Sequence, residues 1–328
     1  MLMKKFFGTI ILIAFAGLFC YGLYHYIYNL IHEDEEITII NDGKNSNKDE
    51  YIYKEDLLTL GYTISDIESI KKKISNNDVK KYLLEKKYDN LLKFISSPYF
   101  KIENISRYEN YYKKNNSYSI DDIVIYVEIG LDIEFYTNIQ EVTDYKKIDT
   151  LINKYYKLPE DYSFDDLISI DSKYKKSSYD YKLRKEAAEH LYKMIDAASE
   201  DNISLWVVSA YRTLSTQKNL FNNSVKNDGM DHALIYSAKP GHSEHNLGLA
   251  VDLNLASSKG NFDKTKEYEW LKQNSYKYGF IERYPKGKEF ITGYGFEPWH
   301  YRYLGIELAT NIYLEGVTYE EYLVKHAK

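Results

Sequence analysis

The chain has very little cysteine and no excess of positive charge. Only one of its 328 residues is cysteine, Cys20, so an intramolecular disulfide and a thiolate-rich metal site are both excluded. Any metal would have to be held by histidine, aspartate or glutamate. The 43 lysines and arginines are outnumbered by 49 aspartates and glutamates. The resulting net charge of −6 gives no indication of nucleic-acid binding, which needs a concentrated basic face.

Charged side chains are also absent from a long segment near the amino terminus. Residues 6–31 contain no Asp, Glu, Lys or Arg, and Lys4 and Lys5 precede them. A membrane-spanning helix needs about 20 apolar residues, and basic residues at one end favour a cytoplasmic location for that end. We therefore expect residues 1–32 to be a cytoplasmic tip and an uncleaved transmembrane anchor, with the rest of the chain extracytoplasmic. A cleaved signal peptide is the alternative, although no A-x-A-like site follows the run.

The remainder of the chain has the composition of a folded protein. Charged residues make up 28% and hydrophobic residues 44%, and the length suits about two domains of roughly 150 residues each. Residues 33–49 are polar and are interpreted as a linker. Within residues 50–150, the pattern over 54–97 predicts helices, whereas the β-branched run 123–135 predicts a strand or a hairpin turned at Gly130. This region shows no reactive constellation, and we expect a spacer that is dispensable for chemistry.

The second half of the sequence alternates between helical and strand patterns. We predict helices over 183–198, 213–225 and 268–278, and strands over 204–210, 249–253, 280–283 and 299–304. Gly279 lies where a left-handed residue would end the third helix. This mixture of elements predicts an α+β domain in residues 151–328.

Three short segments carry side chains that could do chemistry. In the first, His245 and Asp252 are seven positions apart, with Gly248 between them. Residues at odd spacing on a straight strand point to opposite faces, so this pair converges only if the chain bends, which a glycine permits. Imidazole and carboxylate are both zinc ligands. For the pair alone, an ordinary surface loop is the alternative interpretation.

The second segment is Glu297-Pro298-Trp299-His300. The proline makes Glu297 extended and stiff, which fixes its position relative to His300. A third ligand from His300 would complete a two-histidine, one-carboxylate site with an open position for water, the mark of a catalytic zinc. A nearby glutamate can take the proton of that water. A structural Glu–His pair beside a core tryptophan is the alternative.

The third segment, Ser209 to Arg212, ends a predicted strand. An arginine that leaves a strand end towards a cleft can hold a substrate carboxylate or an oxyanion. A surface ion pair is the alternative. Gln217, in the next predicted helix, would face either the same cleft or solvent.

These segments occur in an order that closely resembles the zinc D-alanyl-D-alanine carboxypeptidases of the VanY type, which are related to the vancomycin-resistance D,D-dipeptidases. The resemblance extends over roughly residues 161–322. The family pattern S-x-H-x-x-G-x-A-x-D is matched by Ser243, His245, Gly248, Ala250 and Asp252, and the pattern E-x-W-H by Glu297, Trp299 and His300.

The resemblance implies a fold, a cofactor and a role for each of these residues. The fold would be a small antiparallel sheet flanked by helices, as in hedgehog-like D,D-peptidases. One zinc ion would be held by His245, Asp252 and His300, with His242 not a ligand. Glu297 would act as the base and Arg212 would polarise the scissile carbonyl. The substrate contacts would come from Ser243, Gln217 and Tyr294.

The implied function of residues 151–328 is removal of the terminal D-alanine from peptidoglycan stem pentapeptides outside the membrane. The expected partners are the stem peptide and, through the anchor, the membrane; no nucleic acid is expected and no protein partner can be inferred. An L,D-carboxypeptidase acting on tetrapeptide stems would use the same metal site. A hypothesis from another class is a non-catalytic, zinc-dependent wall-binding or sensor module, against which the retained Glu297 argues.

Overall fold

The structure, a computed structural model, describes residues 51–253 and 261–327, and Ile52–Lys328 form one compact unit. The anchor and linker predicted in residues 1–49 lie outside the described residues. Within the described ranges, no helix combines the length and the hydrophobicity that crossing a bilayer requires.

The amino-terminal part of the compact unit is built from short helices. Thr63, Ser75 and Ser119 each accept a backbone N–H bond at a helix start, so side-chain caps set three of these starts. Leu57, Ile70 and other apolar residues are buried between the helices, which confirms the helical pattern predicted over 54–97. The helices are α1 (Lys54–Thr59), α2 (Ile64–Lys71), α3 (Asn76–Tyr82), α4 (Leu91–Phe94), α5 (Ile105–Lys114) and α6 (Ile120–Ile129).

The strand or hairpin predicted over residues 123–135 was wrong. Helix α6 occupies most of this segment, and Gly130 ends it in the left-handed conformation at φ 101°. All five residues from Ile123 to Val127 are buried, so the β-branched run reflects burial on every side rather than alternation in a sheet. A strand pair lies further along the chain and crosses the boundary predicted at residue 150, because β1 (Gln140–Glu141) pairs in parallel with β2 (Tyr156–Lys157).

The carboxy-terminal part is an α+β arrangement, as predicted. Its main sheet is antiparallel, in the order β5-β6-β8-β7. These strands are β5 (Val207–Ser209), β6 (Ala250–Leu253), β7 (Phe280–Glu282) and β8 (His300–Tyr303), and a separate antiparallel pair is formed by β3 (Leu167–Ser169) and β4 (Lys182–Arg184).

Helices cover this sheet and close the core. The apolar face of α7 (Lys185–Glu200) packs Leu191 and Met194 into one cluster with Val251 and Tyr301 of the sheet. The predicted start of α7 at Leu183 was two residues early, because Leu183 belongs to β4. The remaining helices are α8 (Leu214–Asp228), α9 (Met230–Tyr236), α10 (Lys266–Asn274), α11 (Glu289–Thr292), α12 (Ile306–Glu315) and α13 (Tyr319–Lys325).

Gly279 ends the third predicted helix as expected. Helix α10 continues as a 3₁₀ turn, Ser275–Tyr278, and Gly279 follows at φ 84°. A Cβ at this position would lie 2.7 Å from the Tyr303 ring and 3.0 Å from the Gly305 backbone. Both the backbone conformation and the close packing therefore require glycine here.

Hydrogen bonds cross the boundary predicted at residue 150. The Tyr155 hydroxyl donates to the carbonyl oxygens of Gly130 and Ile133 at 2.7 and 2.8 Å. Arg302 of β8 donates to the carbonyl oxygen of Thr150 at 2.8 Å. The amino-terminal helices thus pack directly on the α+β part of the same unit, and the boundary itself stays a prediction.

Candidate active site

His245, Asp252 and His300 come together as a buried cluster whose ligand atoms all lie within 4.8 Å of one another. The Oδ1 atom of Asp252 is 3.2 Å from Nε2 of His245 and 3.2 Å from Nδ1 of His300. Asp252 on β6 pairs directly with His300 on β8. Two of the three predicted ligands are therefore fixed by strand register.

The bend expected between His245 and Asp252 is present. His245 lies in a 3₁₀ turn, Glu244–Leu247, which Gly248 ends in the left-handed conformation at φ 66°. A Cβ on Gly248 would lie 2.9 Å from the Leu167 side chain and 3.1 Å from that of Arg184. The turn and the glycine together bring His245 back over the strand that carries Asp252.

Hydrogen bonds outside the cluster orient both imidazole rings. Nδ1 of His245 lies 2.7 Å from the carbonyl oxygen of Ala210, so this nitrogen is the donor and Nε2 faces Asp252. Nε2 of His300 lies 3.3 Å from Oε2 of Glu244, so Nδ1 faces Asp252. Two imidazole nitrogens and one carboxylate oxygen thus converge, a donor set that suits a divalent transition metal.

The charges of the cluster also favour a cation. Burial would raise the pKa of Asp252, but His245, His300 and Arg212 hold it well below its usual range. Burial and Arg212 lower the pKa of His245 to about 4. Burial would also lower the pKa of His300, but its hydrogen bonds to Asp252 and Glu244 raise it to about 9. Asp252 is therefore an anion, and a metal would displace a proton from His300.

Glu297 lies next to this cluster with its side chain 14% exposed. Its Oε2 atom is 3.9 Å from Nδ1 of His300, and its backbone N–H donates to the carbonyl of Tyr284. Burial, together with the negative charge of Asp252, raises the pKa of Glu297 to about 7. A carboxylate whose pKa lies near neutrality is suited to accepting and returning a proton.

Arg212 and Gln217 line the same cavity. Arg212 donates to Oγ of Ser209 at 2.7 Å and to Oδ2 of Asp252 at 2.9 Å, and its Nη1 lies 3.4 Å from Oε1 of Gln217. Gln217, on α8, is buried and donates to the carbonyl of Ala238 at 2.8 Å. Of the two interpretations left open for Gln217, the structure places it at the cleft and not in solvent.

All the predicted site residues line one cavity of about 190 Å³. Ser243 and Tyr294 complete the predicted set, and the hydroxyl of Tyr294 is 3.4 Å from that of Tyr136. His242 is buried with Nδ1 2.8 Å from the carbonyl of Asn153, and it lies outside the cluster of His245, Asp252 and His300. The structure shows where these residues lie, while their roles stay predictions. The other lining residues are Tyr236, Ser237, Ala238, Tyr284 and Trp299.

Sequence reasoning missed Glu244 and Tyr284. The only sign of Glu244 in the sequence was its place directly before the predicted ligand His245. Tyr284 contacts His300 with ring centroids 4.9 Å apart. No motif in the sequence marked it among 36 tyrosines.

The part of the chain that holds this site matches a known family. Residues 180–306 match the family model of VanY, D-alanyl-D-alanine carboxypeptidase. The putative carboxypeptidase YodJ of Bacillus subtilis (strain 168) is 39% identical over 216 residues, which are 61% of this chain and 78% of that protein. The chain belongs to the VanY family.

Two further comparisons add detail. The bifunctional D-Ala-D-Ala dipeptidase and D-Ala-D-Ala carboxypeptidase VanXYC of Enterococcus gallinarum is 35% identical over 153 residues, covering 44% of this chain and 80% of that protein. The solved structure of the LdcB LD-carboxypeptidase aligns with a TM-score of 0.52 at 39% identity, covering 57% of this chain and 90% of that chain. The family resemblance predicted from the sequence motifs is confirmed.

Proposed function

We propose that this VanY-family chain is a zinc-dependent D-alanyl-D-alanine carboxypeptidase that removes the terminal D-alanine from peptidoglycan stem pentapeptides. The observation that carries the proposal is the juxtaposition of Glu297, 3.9 Å from His300, with the buried His245–Asp252–His300 cluster in one small cavity. A set of metal ligands beside a carboxylate that can act as a base has no use in a module that only binds.

Zinc is the metal that the donor set favours. Two imidazoles and one carboxylate leave a fourth tetrahedral position open, which is the arrangement of catalytic rather than structural zinc. When bound, zinc supplies an activated water and polarises the substrate carbonyl.

One residue of the chain would then transfer the proton, and another would stabilise the negative charge that develops on the substrate. Glu297 takes a proton from the water while the oxygen of that water bonds to the scissile carbonyl carbon. It then delivers that proton to the nitrogen of the departing D-alanine as the C–N bond breaks. Arg212, held by Ser209 and Asp252 at the cavity wall, places positive charge where the oxyanion develops.

The small volume of the cavity fits a carboxypeptidase. A space of about 190 Å³ between Gln217, Ser243 and the tyrosines is large enough for one small terminal residue. Hydroxyl and amide groups from Ser243 and Gln217 are suited to holding the substrate ends.

We further propose that residues 1–32 anchor the protein in the membrane and place the catalytic region outside. The support is the uncharged run 6–31 after Lys4 and Lys5. Cell fractionation should recover the full-mass chain with the membrane, and protease added to intact cells whose wall has been removed should degrade the catalytic region. A shortened chain released into the medium would instead establish the cleaved signal peptide.

An L,D-carboxypeptidase acting on tetrapeptide stems is the second candidate. It is favoured by the likeness to the LdcB LD-carboxypeptidase at a TM-score of 0.52. The metal site and Glu297 would serve both reactions equally, because the two substrates differ in the residue that precedes the bond and not in the bond's chemistry.

A side-by-side assay separates these functions. The full-length chain, loaded with zinc, is incubated with matched pentapeptide and tetrapeptide stems, and released D-alanine is quantified. Preferential release from the pentapeptide supports the first proposal, and preferential release from the tetrapeptide establishes the second. Tight binding of either peptide without release would point to a non-catalytic module.

A further inference from the structure

A chain of buried charged groups connects His300 to the carboxy-terminal helix α13. Glu244 contacts Nε2 of His300 through Oε2 at 3.3 Å. Its other oxygen, Oε1, accepts hydrogen bonds from Arg283 at 2.7 Å and Arg302 at 2.9 Å. Arg283 in turn donates to both carboxylate oxygens of Glu320, on α13, at 2.9 and 2.6 Å.

These groups are buried far more completely than ion pairs usually are. The side chains of Glu244, Arg283 and Arg302 are 0% exposed, and that of Glu320 is 2% exposed. Apolar side chains of similar volume commonly stabilise a fold as well as a buried ion pair or better, because burying charge carries a large desolvation penalty. Stability alone therefore does not account for this cluster, and its contact with a metal-ligand histidine offers a reason.

The cluster gives His300 a different support from that of His245. His245 donates from Nδ1 to the backbone carbonyl of Ala210, which directly follows strand β5. His300 relies on a side-chain carboxylate, which can hold the ring only if it is itself held. Arg283 and Arg302 hold Glu244 from two directions, and Glu320 holds Arg283 in a bidentate pair.

We propose that Glu244 is a positioning residue that orients His300 for metal binding, and that Arg283 and Glu320 make helix α13 part of this support. The inference rests on the proposed metal centre. Its consequence is that Glu320, which does not contact any of the three metal-binding side chains, contributes to metal affinity. Carboxylates that orient ligating histidines typically change metal affinity by about 10–100-fold when they are replaced.

The neighbouring residue in α13 provides a matched control. Glu321 forms a capping box with Thr318 and an ion pair with Lys288 at 2.9 Å. It therefore contributes to the docking of α13, but it is not bonded to Arg283. Glu321→Gln and Glu320→Gln make the same chemical change at adjacent positions, and only the second interrupts the connection to His300.

The test measures zinc affinity in the full-length chain by competition with a chromophoric chelator. We expect Glu244→Gln to weaken zinc binding by about 10–100-fold, and Glu320→Gln to weaken it less but in the same direction. Glu321→Gln should retain the wild-type affinity. The visible absorption of the cobalt-substituted protein, which reports ligand geometry, should change in Glu244→Gln and stay unchanged in Glu321→Gln.

The outcomes separate the inference from the proposed metal centre. A wild-type chain that binds no zinc would overturn the centre itself. If folded Glu244→Gln keeps the wild-type affinity and cobalt spectrum, the positioning role is wrong. If Glu320→Gln binds zinc as tightly as Glu321→Gln, the connection to α13 is wrong. If Glu244→Gln does not fold, because Arg302 loses its carboxylate partner and Arg283 keeps only Glu320, the comparison at positions 320 and 321 decides.

Discussion

Asp252 and His300 occupy directly opposed positions on strands β6 and β8, with Oδ1 of the aspartate 3.2 Å from Nδ1 of the histidine. Opposed residues in an antiparallel pair have their side chains on the same face of the sheet, so backbone hydrogen bonding sets the distance between these two ligands. The third ligand, His245, enters from a turn. The candidate metal site is thus built mainly on two paired strands, which position side chains more precisely than loops do.

This arrangement predicts that the metal stabilises the fold. A ligand that binds only the folded state stabilises it by about 2.7 kcal/mol at a concentration about 100-fold above its Kd. Zinc added to the chelator-treated full-length chain should therefore raise the melting temperature measured by circular dichroism. Asp252→Asn, which keeps the shape of the side chain but removes its charge, should lose most of this rise. An equal rise in both proteins would show that zinc binds elsewhere.

The close packing around Gly279 predicts that a side chain at this position would destabilise the fold by steric overlap. A comparison with Gly287 separates this overlap from backbone strain. Gly279 and Gly287 both have φ near 84°, but a Cβ at Gly279 would lie 2.7 Å from the Tyr303 ring whereas one at Gly287 meets nothing within 4 Å. We expect Gly279→Ala to lower the free energy of unfolding by about 2–4 kcal/mol and Gly287→Ala by about 1 kcal/mol. Urea unfolding of the two variants tests this, and equal losses would contradict the steric explanation.

The environment of Lys154 leads us to predict that the free energy of unfolding depends on pH. Burial and the nearby Lys239 lower its pKa from 10.5 to about 8, while its Nζ donates to the Leu234 carbonyl at 2.7 Å. Between about pH 8 and pH 10.5 the unfolded chain keeps a proton on Lys154 that the folded chain has lost, so this residue makes stability rise with pH over that window.

The comparison with Lys154→Met isolates this effect from other titrating groups. The unfolding free energy of the wild type minus that of the variant should be constant below pH 7.5 and should increase from pH 8 to pH 10. A difference that stays constant over the whole range would show that Lys154 titrates normally in the folded protein.

The cluster of candidate metal ligands could be predicted from the sequence because few side chains are able to bind a metal. With a single cysteine excluded, the ligands had to come from histidine and carboxylates, and the family spacing selected His245, Asp252 and His300. The three helices and four strands predicted in the second half are present, with boundary errors of a few residues. Helices α9, α11, α12 and α13 and strands β2, β3 and β4 were not predicted.

Other features depended on contacts between residues far apart in the sequence. The run Ile123–Val127 has the composition of a strand, and only its burial on all sides within the helical part makes it a helix. The positioning role proposed for Glu244 depends on its contacts with Arg283 and Arg302, which lie 39 and 58 residues away in the sequence. No local pattern indicated those partners. The membrane anchor falls outside the described residues and stays a prediction.

The most direct test of the account is the turnover of a pentapeptide stem by the zinc-loaded full-length chain and by its Glu297→Gln variant. Replacing the base with a neutral amide of the same shape should lower kcat by about 10²–10⁴-fold and leave zinc affinity nearly unchanged. Glu307→Gln, which neutralises an exposed carboxylate on α12, serves as the control and should keep full activity. A Glu297→Gln variant that releases D-alanine at the wild-type rate would contradict the mechanism.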